Sequence, residues 1–156
     1  MRITIVAASS RQPAWVVAGF EEYAGRLRSR CTLAVAEIPL GRRKKTESAT
    51  RAVAAEGERM LAALPKGAHV VALTEAGTQW STVELAARLR AWMTAGAPLV
   101  FLIGGPDGLA AACVERAAER WALSRLTLPH GFARIAVAEA LYRAWMVLEG
   151  HPYHRG

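Results

Sequence analysis

The sequence contains few cysteines, and their placement excludes two classes of site. Cys31 and Cys113 are the only cysteines among 156 residues, and they lie far apart, without C-x-x-C spacing and without a neighbouring histidine. This spacing argues against a zinc site and against a disulfide-based redox centre. We therefore predict no metal site, and we expect two reduced cysteines, at least one of them in the core.

Long apolar runs are missing as well. No run of the sequence is long enough to cross a bilayer. Residues 1–6 have the composition of a β-strand, and they lack the long apolar stretch and the cleavage site of a signal peptide. The sequence therefore predicts a cytoplasmic protein with no membrane partner.

Lysine is scarce although the chain is strongly basic. Lys44, Lys45 and Lys66 are the only lysines, while the net charge is +7 and the isoelectric point is about 10.2. Arginine binds phosphate in a bidentate manner and stacks on bases, so an RNA partner is one interpretation. A coding preference for arginine is the other, and composition alone leaves both open.

Strand and helix patterns alternate along the chain. Apolar, β-rich segments predict strands at residues 1–8, 32–38, 69–73 and 99–103. Helical periodicity predicts helices after Pro13, after a cap at Thr46 or Ser48, after a capping box from Ser81 to Glu84, and at residues 109–120 and 132–150. Residues 122–128 fit either a short strand or a loop.

The alternation predicts an α/β fold, with a parallel sheet covered by helices on both faces. Hydrophobic residues make up 53% of the chain, which is typical of a packed globular protein. No linker, internal repeat or low-complexity segment interrupts the pattern. We therefore expect residues 1–156 to form a single domain.

Ligands in such sheets bind beyond the carboxyl ends of the strands. The Gly104-Gly105-Pro106 turn follows a predicted strand and would let the backbone approach a ligand. It has neither the G-x-G-x-x-G spacing of a dinucleotide fold nor the G-K-[ST] of a P-loop, so on this pattern alone a plain strand-to-helix turn is the favoured alternative. The leucine-rich residues 123–128 fit the apolar wall of a pocket for an adenine-bearing cofactor, or a short buried strand.

The last helix and the residues after it carry further candidates. Glu139 and Arg143 are four residues apart, as in a surface ion pair. Residues 151–156 combine two imidazoles, a phenol and a guanidinium, which can stack on a base, contact phosphate and move a proton; an inert, frayed end is the alternative. Tyr142, Trp145 and Leu148 give the helix an apolar face that we expect to form a homodimer interface.

Four segments together carry a family resemblance: LIGGP at residues 102–106, LTLPH at 126–130, AEALYRAW at 138–145 and HPYHR at 151–155. Over its full length the chain resembles the small SPOUT-class methyltransferases that modify N3 of a pseudouridine in large-subunit ribosomal RNA. The resemblance implies an α/β sheet whose C-terminal part is threaded into a trefoil knot. It also implies a homodimer that holds S-adenosyl-L-methionine in the knot and completes each site with the partner subunit.

The resemblance also assigns residues to the site. It places the cofactor pocket on Leu73, Gly104, Leu123, Ser124, Arg125, Leu126, Thr127 and Leu128, and the RNA side on Arg143, Tyr153, His154 and Arg155. It implies methyl transfer to rRNA, with His154 as the candidate acceptor of the N3 proton and with Arg155 or Arg143 stabilising the developing charge. Two alternatives stay open: a SPOUT enzyme that acts on another RNA, and a non-catalytic RNA-binding ribosome-associated factor. Gly131 departs from the family pattern, and we expect it to loosen the start of the last helix.

Overall fold

Five parallel strands form one sheet at the centre of this computed structural model, in the order β2-β1-β4-β3-β5. The structure describes residues 1–155, with the side chain of His154 and the whole of Gly156 outside the described residues. The strands are β1 (Arg2–Ala8), β2 (Thr32–Ile38), β3 (His69–Thr78), β4 (Leu99–Ile103) and β5 (Glu119–Trp121). The predicted α/β class with a parallel sheet is confirmed.

Helices cover both faces of the sheet. They are α1 (Ala14–Leu27), α2 (Thr50–Ala62), α3 (Thr82–Ala95), α4 (Ala111–Arg116) and α5 (His130–Glu149), followed by a 3-10 turn at Pro152–Arg155. One core packs α1, α3 and α5 against the sheet, and the other packs α2 and α4 against the opposite face. None of the helices within residues 1–155 has the length and apolar character needed to span a membrane.

Strand β4 occupies the middle of the sheet and is buried from end to end. Leu99, Phe101 and Ile103 point into the first core, whereas Val100 and Leu102 point into the second. A strand between two helical layers needs apolar side chains at every position, which explains the continuous apolar run in its sequence.

The helix predicted over residues 109–120 is present but shorter, and its predicted C-terminal part is wrong. Helix α4 ends at Arg116, and residues 119–121 form β5 at the edge of the sheet. Ala118 donates a hydrogen bond from its backbone N to the carbonyl of Val70 at 2.8 Å, which begins the pairing of β5 with β3. Pairing with β3 therefore outweighs the helix propensity of this alanine-rich segment. Residues 122–129 form a loop, which decides between the two alternatives for this segment.

Two predicted helix starts have different outcomes. The capping box of α3 is confirmed, since Ser81 Oγ accepts from the backbone N of Glu84 at 3.1 Å and the Glu84 carboxylate accepts from the backbone N of Ser81 at 2.7 Å. The predicted cap of α2 at Thr46 or Ser48 is wrong, because the N-cap residue is Ala49.

Helix α5 begins at His130, two residues earlier than predicted, and its start is tightly packed. A Cβ atom placed on Gly131 would lie 2.6 Å from a methyl carbon of Val16 in α1. The expectation that this glycine loosens the start of the helix is therefore wrong, because the missing side chain lets α1 and α5 approach each other. Trp145 is only 5% exposed, so the expected apolar interface face of α5 lies largely in the subunit's own core.

Candidate active site

The strand register brings three predicted cofactor residues to one edge of the sheet. Ala72 of β3 is opposite Leu102 of β4. Leu73 is therefore level with Ile103, the last residue of β4, and Gly104 is the next residue along the chain. Leu73 is also opposite Trp121, and Leu123 follows two residues later. Leu73, Gly104 and Leu123 therefore lie at the carboxyl edge of three neighbouring strands, which we call the cofactor edge.

Strand β3 is longer than predicted and irregular at this edge. Both Leu73 and Thr78 pair with Trp121, so the intervening residues 74–77 bulge out of the β3–β5 ladder. A Cβ atom on Gly77 would lie 2.8 Å from the backbone of Arg120 and of Trp121. A glycine is therefore required for this close approach of the two strands.

The Gly104 turn is closed by its own backbone. A Cβ atom on Gly104 would lie 2.5 Å from the carbonyl carbon of Gly108 and 2.6 Å from the backbone N of Leu109. Gly108 has a φ of 85°, and its N donates to the carbonyl of Gly105 at 3.0 Å. Gly104 is therefore needed for the turn to form, whether or not a ligand approaches it.

The loop of residues 123–128 has the surface of an uncovered pocket wall. Leu126 is 72% exposed, while Leu123 and Leu128 are half-buried. Among the described residues, no backbone–backbone hydrogen bond involves this loop, and the Leu126 N donates to Ser124 Oγ at 2.9 Å. An exposed leucine in a loop whose backbone groups have no backbone partner fits the adenosine part of a cofactor, which needs apolar contact and backbone hydrogen bonds together.

The first turns of α5 return to the cofactor edge through a buried arginine. Arg134 is 4% exposed and donates to Glu37 at 2.7 Å, to Ser9 Oγ at 3.3 Å and to His130 Nε2 at 2.9 Å. Because an arginine only donates, His130 Nε2 accepts and the ring is neutral. Burial lowers the pKa of His130, the charge of Arg134 lowers it further, and the backbone of Gly104 opposes the shift.

Sequence reasoning missed this cluster. The four-residue spacing of His130 and Arg134 was its only local signal, since Glu37 and Ser9 are remote in sequence.

Two residues predicted for the RNA side, Arg143 and Tyr153, contact each other and Glu139. Arg143 Nε donates to Glu139 at 2.9 Å, Arg143 Nη1 donates to the Tyr153 carbonyl at 3.3 Å, and the Tyr153 hydroxyl donates to Glu139 at 3.3 Å. Arg155 belongs to the same 3-10 turn and is exposed, while the side chain of His154 lies outside the described residues. Tyr153 is thus held against α5 rather than frayed.

Aromatic side chains widen this cluster. The Arg26 guanidinium lies 5.4 Å from the ring centre of Tyr23, 5.5 Å from that of Tyr142 and 6.0 Å from that of Tyr153. The Tyr142 and Tyr153 rings meet edge to face at 4.7 Å. Arg26 and Tyr23 were not predicted for the site, because only tertiary packing of α1 on α5 brings them to the C-terminal residues.

The two predicted sets of residues are separated within one chain. His130 starts α5 at the cofactor edge, and Glu139 follows nine residues later, about 14 Å along the helix axis at 1.5 Å per residue. At its far end, Glu149 pairs with Arg30 near the start of β2, at the opposite edge of the sheet. The structure therefore groups Leu73, Gly104 and residues 123–128 in one place and Arg143, Tyr153 and Arg155 in another.

No group of three or more His, Cys, Asp or Glu side chains among the described residues is arranged to hold a metal ion. Cys31 and Cys113 are both free and buried, as expected. Burial raises the pKa of Cys31 to about 11 and raises that of Cys113 in the same direction.

Comparison with known proteins identifies the class. The family model described as "Predicted SPOUT methyltransferase" matches residues 1–154. The chain belongs to the SPOUT methyltransferase family, so the family predicted from the four sequence segments is confirmed.

Two individual proteins to which the chain is similar add detail to this family assignment. The chain is 50% identical over 155 residues to the "Ribosomal RNA large subunit methyltransferase H" of Methylococcus capsulatus, covering 99% of this chain and all of that protein. Among solved structures, it is similar to "a probable methylase family protein" from Haemophilus influenzae, with a TM-score of 0.55 and 13% identity, covering 97% of this chain and 69% of that one. The second likeness supports the fold alone.

Proposed function

We propose that the protein transfers a methyl group from S-adenosyl-L-methionine to N3 of a pseudouridine in large-subunit ribosomal RNA. The observation that carries the proposal is the cofactor edge, where Leu123 leads into a loop with an exposed leucine and with backbone groups that have no backbone partner among the described residues. The 50% identity to a protein named as a large-subunit rRNA methyltransferase supports the choice of substrate, as does the net charge of +7.

The residues at the cofactor edge fit S-adenosyl-L-methionine. Leu73, Leu123, Leu126 and Leu128 would contact the adenosine, while Ser124, Arg125 and Thr127 supply backbone N–H and C=O groups for its polar atoms. The cofactor supplies an electrophilic methyl group. In the proposal, the segment from residue 119 onward forms the trefoil knot of the family, with the Gly104 turn at its edge.

The proposal includes a homodimer in which each site combines two subunits. His130 at the cofactor edge and Glu139 beside Tyr153 are about 14 Å apart along α5, so the C-terminal residues of one subunit would complete the cofactor edge of the other. The structure offers an interface at the starts of α1 and α5, where Trp15 and Phe132 are each 54% exposed and Val17 is 50% exposed. With the two α5 helices antiparallel, a two-fold axis that crosses near their midpoints would set each C-terminus beside the start of the partner's α5 and thus toward the other cofactor edge.

The chain's own residues orient the base and move its proton. The Tyr153 ring provides a flat surface for a base, and Arg143 Cζ lies 4.8 Å from its centre. N3 must lose its proton as the new bond forms, and a ring nitrogen of His154 would accept it. Arg143 or Arg155 would then stabilise the negative charge that develops on the base.

Methyl transfer from labelled cofactor tests the function directly. The purified protein is incubated with ribosomes, free large subunits and naked RNA, and the modified base is identified by mass spectrometry of the nucleosides. We expect label at N3 of a pseudouridine. Binding of S-adenosyl-L-methionine without transfer to any of these RNAs would contradict the proposal and favour a non-catalytic RNA-binding factor. Label on another base would contradict the choice of N3 of a pseudouridine and would indicate a SPOUT methyltransferase with a different target.

Subunit mixing tests the shared site. One variant lacks residues 151–156, and the other carries Leu126→Glu in the cofactor loop. Each homodimer should be inactive, but mixed dimers carry one intact site, so an equal mixture should recover about a quarter of the parent activity. Each variant mixed with itself is the control. If the equal mixture stays inactive although exchange is verified by mass spectrometry, each site belongs to a single chain.

A further inference from the structure

A buried carboxylate that the proposed reaction does not use fixes the loop after β2. Glu56 of α2 is 2% exposed. Its Oε2 accepts from the backbone N of Gly41 at 2.9 Å and from Arg43 Nη1 at 2.8 Å. A buried charge is tolerated only with such partners, so the loop is held where these donors meet Glu56.

Arg43 ties the same loop to the turn that follows β4. Its Nε donates to Asp107 at 2.8 Å, and its Nη1 also donates to the Gly41 carbonyl at 3.0 Å. A Cβ atom on Gly105 would lie 3.0 Å from Leu40 Cδ2 and 3.1 Å from Glu56 Oε1, so the turn packs directly on the start of the loop. The loop is therefore anchored beside the cofactor edge.

The other charged side chains of the loop face the solvent. Arg42, Lys44 and Lys45 are exposed, whereas Arg43 is turned inward to its two carboxylates. Lys44 Nζ forms a long, exposed ion pair with Glu47 Oε1 at 3.7 Å. We call residues 41–45 the basic arm. Its Arg43 is fixed by two carboxylates, while Arg42, Lys44 and Lys45 are exposed beside the cofactor edge.

We propose that the basic arm binds the phosphate backbone of the RNA substrate and thereby sets the target base over the cofactor edge. This inference rests on the proposed function. Phosphate contacts position a protein on nucleic acid without reading its sequence, and each one releases counterions. Arg42, Lys44 and Lys45 supply the charge for these contacts, while Arg43, Glu56 and Asp107 hold the arm in place.

A matched pair of charge reversals tests the basic arm. Lys45→Glu changes the arm, and Lys66→Glu changes another exposed lysine, in the turn before β3 at the opposite edge of the sheet. Binding of each purified variant to large ribosomal subunits is measured at several salt concentrations. We expect Lys45→Glu to weaken binding on the order of tenfold and to reduce the slope of log K against log salt by about one, with the Lys44→Glu/Lys45→Glu double variant reducing it by about two.

Two further readouts separate the basic arm from other causes. Binding of S-adenosyl-L-methionine and the melting temperature should stay at parent values in Lys45→Glu. In methyl transfer, its KM for subunits should rise while kcat is kept. Equal weakening by Lys45→Glu and Lys66→Glu, or an unchanged salt slope in the double variant, would overturn the inference. Absence of methyl transfer by the parent would instead contradict the proposed function, and the binding comparison would still decide the role of the arm.

Discussion

The guanidinium of Arg143 lies 4.8 Å from the ring centre of Tyr153, and Glu139 accepts a hydrogen bond from both side chains. Glu139 and Arg143 come from one helix, whereas Tyr153 belongs to the short 3-10 turn that follows it. This contact holds Tyr153 against α5 in the free protein. In the proposed function, the entropy of ordering this residue is therefore lost before RNA binds.

Tyr153→Ala should impair methyl transfer more than Tyr153→Phe. Alanine removes the surface on which a base would stack, worth about 1–3 kcal/mol, or about 5- to 150-fold in kcat/KM. Phenylalanine keeps the ring over Arg143 and loses only the 3.3 Å hydrogen bond to Glu139, so it should retain most of the activity. Transfer of labelled methyl groups to ribosomes measures both variants, and isothermal calorimetry should find unchanged cofactor binding. Equal losses in the two variants would argue against a stacking role.

Glu119→Gln should destabilise the protein at neutral pH and less so in acid. Glu119 accepts from His69 at 2.6 Å and from Trp92 at 2.8 Å, and it pairs with Arg88. Burial raises the pKa of Glu119, but these hydrogen bonds and the positive charge of Arg88 outweigh it, so the pKa lies below its ordinary value of 4.5. The charged form therefore stabilises the fold fully above pH 4.5, and this contribution is lost as the pH falls through the lowered pKa.

Urea unfolding at pH 7 and in acid measures this effect. We expect a loss of about 1–3 kcal/mol at pH 7 for Glu119→Gln, and a smaller loss below the ordinary pKa. Glu115→Gln, a substitution of an exposed carboxylate on the neighbouring α4, is the matched control and should change little. A loss that is independent of pH would show that the charge of Glu119 is not the source of the effect.

Two glycine-to-alanine substitutions should change stability in opposite directions. Gly104→Ala places a Cβ atom 2.5 Å from the backbone of Gly108, so the turn must distort, at about 1–3 kcal/mol. Gly25→Ala adds a Cβ atom in α1 with no atom within 4 Å, and should stabilise the helix by about 0.5–1 kcal/mol. Thermal unfolding measures both. A stable Gly104→Ala protein would show that the turn is less closed than described.

The close packing around Gly104 also limits which substitutions can test the cofactor site. A bulky residue at Gly104 could abolish cofactor binding by disrupting the turn rather than by filling the pocket. Leu126 is the better position for that purpose, because its side chain is exposed and its replacement leaves the core intact.

Both thiols should be unreactive in the folded protein. Cys31 and Cys113 are buried, and burial raises the pKa of Cys31 to about 11, so few thiolates form at pH 8. A chromogenic disulfide reagent should titrate no thiol in native protein at pH 8 and two thiols in denaturant. Rapid reaction of either cysteine in the native protein would contradict the packing of the sheet on its helices.

Local sequence patterns identified most of the elements because each depends on near neighbours. The buried run of β4, the capping box at Ser81 and the amphipathic face of α1 are visible within a few residues. The family segments likewise identified the SPOUT class, since they are contiguous in sequence. The placement of residues 123–128 and of Arg143, Tyr153 and Arg155 in a working site remains a prediction.

The sequence by itself thus determined the α/β class, the basic charge and the family. Only the tertiary structure decided that residues 119–121 form a strand, because their partner β3 lies about fifty residues earlier. It also placed Trp145 in the core, joined His130 to Arg134 and Glu37, and anchored the basic arm through Arg43 and Glu56. These features depend on contacts between residues remote in sequence, whose partners no local periodicity or spacing identifies.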